Sequence, residues 1–507
     1  MIITFGSIAL FFALIIYILH RIKQTDDSFT EYAVAGRSFG AKYQAMSFLN
    51  TWYPGSMFTA FAGMAAASGV ISFYVLTYSL LTVVLMYIMA RPVWIWGKAF
   101  DLRTQPDLFA LRYNSQHIRT VTAVIGILSG IPWLILGMQA LGVMFVYLSF
   151  GSLSYSLAVI LGVVVIAVRQ FWTVRLGMRG VVVSDMFQGI VAYIIGSAIM
   201  VGLIAWMIGT KDISLNSLGT DKFSIPSIDS EQGPLWLFSL VLTGAIGGWC
   251  WPYIFVRLFT ADGVQSLKKS AAIAVPLSLL FGISLLIFGM LASQLPSVGE
   301  HAEDVWFIAT EQAGGALLLG IAGVIVLAAT MGHTDGNIQA YGAQIANDLI
   351  GNYWSLTQRQ LIIIAKIGMV ILTAVSAWLA TLTLPALFAL AVMAYQGIIQ
   401  IAVPQFMGLF WKRGNKQGAI AGMVIGFATA VILEFNFPES LPWAYGLTSG
   451  ALALTVNFTV YVALAYLIPH SKDEEKRIEE LFQIAGDQHN VPTTIVNTSQ
   501  PTSDRTS

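Results

Sequence analysis

The stretch Asn50-Thr51-Trp52-Tyr53-Pro54-Gly55-Ser56 lies inside an apolar run, residues 43-67, that is long enough to cross a bilayer. Proline has no N–H to return to the preceding turn, and the glycine beside it lets the chain unwind, so the run reads as two half-helices with free carbonyls between them. The competing reading is a plain proline kink, which membrane helices tolerate. A second interruption, Gly247-Gly248-Trp249-Cys250-Trp251-Pro252-Tyr253, falls five spans later. Two broken helices in matching places of two five-helix sets point to an inverted-repeat transporter with its site near the midplane. No internal sequence repeat accompanies them, so the spacing of the breaks alone carries the pattern.

Outward from the breaks, the chain is built to live in lipid. Of 507 residues, 57% are apolar and only 10% charged, against about 25% charged in a soluble domain; mean hydropathy is +0.75. A spanning helix needs about 20 apolar residues. Runs of that kind are expected near 3-20, 43-67, 71-96, 120-149, 154-168, 181-208, 234-256, 271-293, 314-343, 361-380, 385-411, 417-434 and 444-468, which makes an all-α polytopic protein with about 13 transmembrane helices and the lipid bilayer as its surroundings. The first run is followed, not preceded, by basic residues (Arg21, Lys23), the reverse of a cleavable signal. Twenty-three of the 26 Lys and Arg fall on alternate loops, Arg169, Arg175, Arg179 and Arg257 among them, which places the N-terminus outside and the C-terminus inside a cell membrane. The outer loops 209-233 and 294-313 read as capping loops. Five segments follow: 1-42, an N-terminal helix and inside loop; 43-208, the first five-helix repeat; 234-411, the second; 412-468, two C-terminal helices; and 469-507, a mostly disordered tail with one short amphipathic helix near 471-488.

These features exclude several classes. Equal numbers of basic and acidic residues leave no footprint for nucleic acid. A single cysteine, Cys250, rules out an intramolecular disulfide and cysteine-built metal centres. No Ser/His/Asp order, metal motif or nucleophile elbow suggests an enzyme, and the tail is too short for a catalytic domain. A cofactor is not expected beyond a coupling ion.

Gly408-Leu409-Phe410-Trp411-Lys412-Arg413-Gly414-Asn415-Lys416-Gln417-Gly418-Ala419, with Gly422 and Gly426 following at helical spacing, resembles the signature of the sodium:solute symporter family. Gly177 followed by Ser184-Asp185-Met186-Phe187-Gln188 resembles that family's other marker, and Ala35-Gly36-Arg37-Ser38 and Pro252 with Arg257 extend the likeness to roughly residues 1-470. The resemblance implies the leucine-transporter-type fold: a 5+5 inverted repeat with one extra N-terminal and two extra C-terminal helices. It also implies cation-coupled symport of a small solute by alternating access, sodium being the leading ion.

Carried over residue by residue, the resemblance implies a sodium ion between the carbonyls of Asn50 and Tyr53 at the first break and the carbonyl of Ala329 on the ninth span. The two hydroxyls of the family site fall here on Gly332 and His333, a departure, because a hard cation wants oxygen ligands. Three readings stand open. Thr330, Thr334 or Asp335 supply the oxygens in a shifted register; protonated His333 takes the ion's place and makes the carrier proton-coupled; or His333 merely hydrogen-bonds a neighbouring helix. The position of Asp185 lies near a second sodium site in some members, and Asp335 stands where those use serine. The two carboxylates would repel unless a cation or proton lay between them; otherwise Asp185 is a structural group paired with Arg175 or Arg179. The solute lining is expected from Trp52, Ser56, Trp133, Gln139, Trp249, Trp251, Tyr253, Gln396 and Gln400, aromatic walls with a few polar handles. With Arg257 assigned to the inner end and no basic residue in the pocket, a carboxylate would have to meet half-helix N-termini; sugar, amino acid, monocarboxylate and pantothenate-like small organic solutes stay open, and the resemblance mildly prefers an organic acid or amino acid. A transporter-like sensor is the remaining alternative.

Overall fold

A computed structural model describes residues 1–230, 232–382 and 387–486. Among these, ten helices are long and apolar enough to cross a membrane, and eleven when one bent pair counts as a single span. Each of the thirteen expected runs carries helix. The number of continuous long helices is smaller because two of the runs are broken into short pieces, and the beginning of the run at 385-411 lies outside the described residues. The part of the tail beyond 486, expected to be disordered, also lies outside them.

In chain order the elements that position the site are α1 (Ile2–Arg21), α2 (Ala41–Trp52), α3 (Ala60–Ser68), α4 (Tyr74–Ala99), α5 (Gln105–Tyr113), α6 (Gln116–Leu148), α7 (Tyr155–Leu176), α8 (Met178–Lys211), α9 (Leu235–Cys250), α10 (Pro252–Thr260), α11 (Val264–Ala292), α12 (Val305–Gln344), α13 (Gln358–Ala380), α14 (Leu387–Ile398), α15 (Ala402–Phe410), α16 (Lys416–Asn436), α17 (Ser449–Leu467) and α18 (Lys472–Gly486). Both breaks expected from the sequence are present. Tyr53 and Pro54 are extended between α2 and a short turn leading to α3. Trp251 is extended between α9 and α10, which meet at a 58° bend. A further break occurs at Gly315, which has a positive φ (φ 55°, ψ −148°) inside α12. The expected outer loop 294-313 is therefore helical from Val305 onward, a boundary that the glycine obscured.

Close helix packing rests on small residues, as lipid provides no hydrophobic drive between helices. On α6, a Cβ at Gly130 would stand 1.7 Å from the Tyr341 hydroxyl of α12, and one at Gly126 would stand 2.7 Å from Pro252 of α10. The loop before α9 caps a helix end: Lys222 Nζ donates to the carbonyls of Ala66 (2.9 Å) and Ala67 (2.5 Å), the unpaired end of α3. At the opposite end α18 is docked. Arg477 donates to the Leu111 and Arg112 carbonyls (2.8 and 2.9 Å), and Trp96 Nε1 donates to the Leu481 carbonyl (2.8 Å). Beside it Arg119 joins Asp107 and Asp348, with Thr104 and Asn347 completing the cluster.

Candidate ion and solute site

Pro54 cannot donate to the carbonyl of Asn50, four residues back, so that oxygen is freed by covalent structure alone. The next carbonyls are not free. Thr51 O lies 2.7 Å from His333 Nδ1, and Tyr53 O accepts from the Tyr193 hydroxyl at 2.5 Å. Tyr53, expected to offer its carbonyl to a cation, thus has that oxygen engaged by α8. A carbonyl only accepts, so His333 Nδ1 carries a proton. Its Nε2 has no hydrogen-bond partner among the described residues, and the ring lies edge-on to Trp133 and Tyr253 at 5.6 and 5.2 Å. Here His333 bonds a neighbouring helix, one of the three readings its position left open.

Gly332 faces the same place. A Cβ there would stand 1.7 Å from Asn50 Nδ2 and 2.9 Å from Asp185 Oδ1. That space is filled by the Asn50 amide, which donates to Asp185 Oδ1 (3.0 Å) and Gln188 Oε1 (3.2 Å). Gly332 and His333 therefore offer a cation no side-chain oxygen. Three buried hydroxyls stand nearby without a partner among the described residues: Ser56, Thr330 and Thr334. Thr330 lies against Gly55, whose Cβ would come within 1.9 Å of its Oγ1, and Thr334 Oγ1 lies 3.1 Å from where a Cβ on Gly137 would be. Ala329 is fully buried one residue before Thr330.

The charged groups correct the sequence picture most. Arg169, placed in an inside loop because the apolar run ends at 168, is fully buried. Helix α7 continues to Leu176, and it is Gly177 (φ 59°) that stops it. Arg169 pairs with Asp335 at 2.8 Å. Arg257, assigned to the inner end, is buried and pairs with Asp185 at 3.3 Å while donating to Thr51 Oγ1 at 2.8 Å. The partner of Asp185 is accordingly neither Arg175 nor Arg179; Arg179 holds the buried Glu31 instead. Ser47 Oγ completes the bonds to Asp185 at 2.7 Å.

Of the expected solute-lining residues, Trp133, Trp251 and Tyr253 come together with His333 and with Tyr395. Trp251 meets Trp133 at 6.1 Å and Tyr395 at 5.4 Å, each nearly perpendicular, and Trp251 and Tyr253 lie 5.8 Å apart. Trp133 Nε1 and Gln139 Oε1 are buried without partners among the described residues. The structure directs others elsewhere. Trp249 donates to Thr82 O (2.7 Å) and Trp52 to Ser79 Oγ (3.0 Å), both stacked on Phe48 and holding the breaks to α4. Gln396 accepts from the Gly450 N–H (2.7 Å) and Gln400 Nε2 donates to the Gly450 carbonyl (3.3 Å), so both face α17. Tyr193, Thr51 and Tyr395 were not anticipated. Tyr193 falls in a π-helical turn, Ile190–Ile195, which leaves no composition signal, whereas Gly177, read in the sequence only as part of a family marker, is a helix-stop residue that could have shown α7 running past Arg169.

A model of the sodium:solute symporter family matches residues 32–426; the chain belongs to that family, whose members are transporters and not enzymes, and it is a multi-pass membrane protein. It is 25% identical over 473 residues to an uncharacterized symporter of Bacillus subtilis, YhjB, covering 89% of this chain and 94% of that one. It is 24% identical over 429 residues to the high-affinity proline transporter PutP of the same organism, covering 80% and 86%. In fold it is similar to a Na+-coupled sialic acid symporter solved in a substrate-bound, outward-open state, with a TM-score of 0.72 at 17% identity, covering 92% of this chain and 98% of that one.

Proposed function

We propose that this family member carries a small organic solute with a carboxylate, an amino acid or organic acid, by alternating access, and that sodium drives it from a site displaced by one or two residues from the expected register. The observation that carries this reading is the set of partnerless buried hydroxyls: Ser56 and Thr330 at the break where Pro54 frees the Asn50 carbonyl, and Thr334 one turn further along α12, facing Gly137. Buried polar groups are almost always bonded, and neutral oxygens converging at an unwound helix suit a hard monovalent cation. The related proline and sialic acid carriers both move carboxylates. Among the described residues of the site the solute carboxylate has no free basic side chain to meet, as Arg257 and Arg169 are engaged, so the half-helix N-terminus at Pro252 and the N–H donors of Trp133 Nε1 and the Gln139 amide are its candidate partners.

A proton-coupled carrier using His333 is the second reading. A charged imidazole would need an acceptor for a second N–H, and Nε2 has none among the described residues, which favours the neutral ring. The excess of basic residues on alternate loops supports a cytoplasmic α18 and an outer N-terminus in a cell membrane. The deciding experiment is uptake of labelled amino and organic acids into proteoliposomes under an imposed sodium gradient. Thr330→Val should raise the sodium concentration for half-maximal uptake by about tenfold, the cost of one lost ligand of about 1.4 kcal/mol. Uptake driven by a pH gradient alone and abolished by His333→Ala would overturn the sodium reading.

A further inference from the structure

Four ionised side chains lie together between α2, α7, α8, α10 and α12, all of them no more than 2% exposed. Asp185 accepts from Ser47 and Asn50 and pairs with Arg257. Asp335 accepts from Gln170 Nε2 at 2.8 Å and pairs with Arg169. The guanidinium groups are themselves held: Arg169 donates to Thr173 Oγ1 and Ser184 Oγ, each at 2.8 Å, and Arg257 donates to Thr51 Oγ1 and Met178 Sδ. Each arginine is also in electrostatic reach of the other pair's carboxylate. Arginine does not lose its proton in proteins, so two fixed positive charges balance two carboxylates and the cluster is neutral with no ion added.

We infer that Arg169 and Arg257 are tethered cations that close this carboxylate pair to metal ions, so that the carrier binds no second sodium there and moves its solute with the single ion held at the hydroxyl set. Space agrees with charge. Gly332 and Gly336 of α12 are bare where side chains would strike the cluster: a Cβ at Gly336 would lie 2.8 Å from Arg257 Nη2, and the one at Gly332 would meet Asn50 and Asp185. Glycine at both positions admits the arginine and the amide into volume that a metal ion and its ligands would otherwise take. Arg169 is the group that decides: with it removed, Asp335 keeps Gln170 and the more distant Arg257 but the two carboxylates are one positive charge short, and a small cation restores neutrality most simply. The single-ion part of the inference rests on the proposed hydroxyl site; the closure of the carboxylates does not.

The test counts sodium ions on purified protein by equilibrium binding of radioactive sodium, independent of transport. Wild type should bind one ion, and Asp335→Asn should leave the count unchanged. Arg169→Met should bind one more, and Arg169→Met with Asp335→Asn should return to the wild-type count. Loss of one bound sodium in Asp335→Asn overturns the inference, and this holds even where Arg169→Met does not fold. So does a monodisperse Arg169→Met protein that gains no sodium. A wild type that binds no sodium at all removes the hydroxyl site and the single-ion claim, and the gain in Arg169→Met then decides the closure alone.

Discussion

Gly332→Ala places one methyl group where the structure has the Asn50 amide. The new Cβ would stand 1.7 Å from Asn50 Nδ2 and 2.4 Å from its Cγ, so the amide must retreat by about 1.3 Å to reach the roughly 3.0 Å that real carbon contacts tolerate. It cannot do so freely. Its N–H groups donate to Asp185 and Gln188, and its oxygen accepts from the Tyr193 hydroxyl at 3.3 Å. Losing the charge-assisted bond to Asp185 and one neutral bond costs about 2–4 kcal/mol, a large part of the 5–15 kcal/mol that typically holds a fold. The melting temperature of the detergent-purified variant, followed by tryptophan fluorescence, should fall clearly. Asn50→Ala alone should also destabilise, since it leaves Asp185 short of a donor. In the double variant the two methyl groups share the volume the amide vacated, so the combined loss should be smaller than the sum by about 1–2 kcal/mol. A Gly332→Ala protein that melts with wild type, or a strictly additive double variant, would refute the contact between α2 and α12 on which the site description depends.

Other outcomes follow from contacts nearer the surface. Burial works against the charge on Asp107, but Arg119 and Arg103 together with the Arg103 backbone N–H outweigh it and hold the carboxyl below the usual carboxylate range. A lowered folded pKa stabilises above the unfolded value and is lost as pH falls through the folded one. Asp107→Asn should therefore lower the melting temperature at neutral pH, and the gap to wild type should close as the medium is acidified below the usual carboxylate range. Arg477→Ala, which removes two bonds from α18 to the end of α5, should make the tail helix more open to trypsin while uptake is retained. Trp249→Phe loses the bond to Thr82 O and should destabilise by about 1 kcal/mol, more than the same change at a tryptophan lacking a partner, read again by thermal melting.

Much of this architecture is legible in one dimension, because hydropathy, helix breakers and glycine spacing act locally. Pro54 and Pro252 lack the N–H whatever surrounds them, yet Pro92, Pro132 and Pro276 sit inside continuous helices, so it is proline together with the nearby Gly55 or Gly247-Gly248 that marks the two breaks. The glycines at 418, 422 and 426 sit flat against α17, where Cβ atoms would meet Tyr461 and Asn457. Charged residues were less legible. The run ending at 168 suggested that Arg169 starts a loop, yet the helix extends two more turns and turns that side chain inward. Asp185 lay among nearby arginines in the sequence, and its partner came from 72 residues away.

Taken alone, the sequence determined a polytopic helical carrier with two broken spans, and it exposed the two missing hydroxyls at Gly332 and His333. Only the tertiary structure decided what stands in their place: an amide, an imidazole bound to Thr51 O, and two arginines neutralising Asp185 and Asp335. The physical reason is that membrane insertion is selected residue by residue along a helix, whereas neutralising a buried charge depends on helix rotation and on which distant helix lies a few ångströms away.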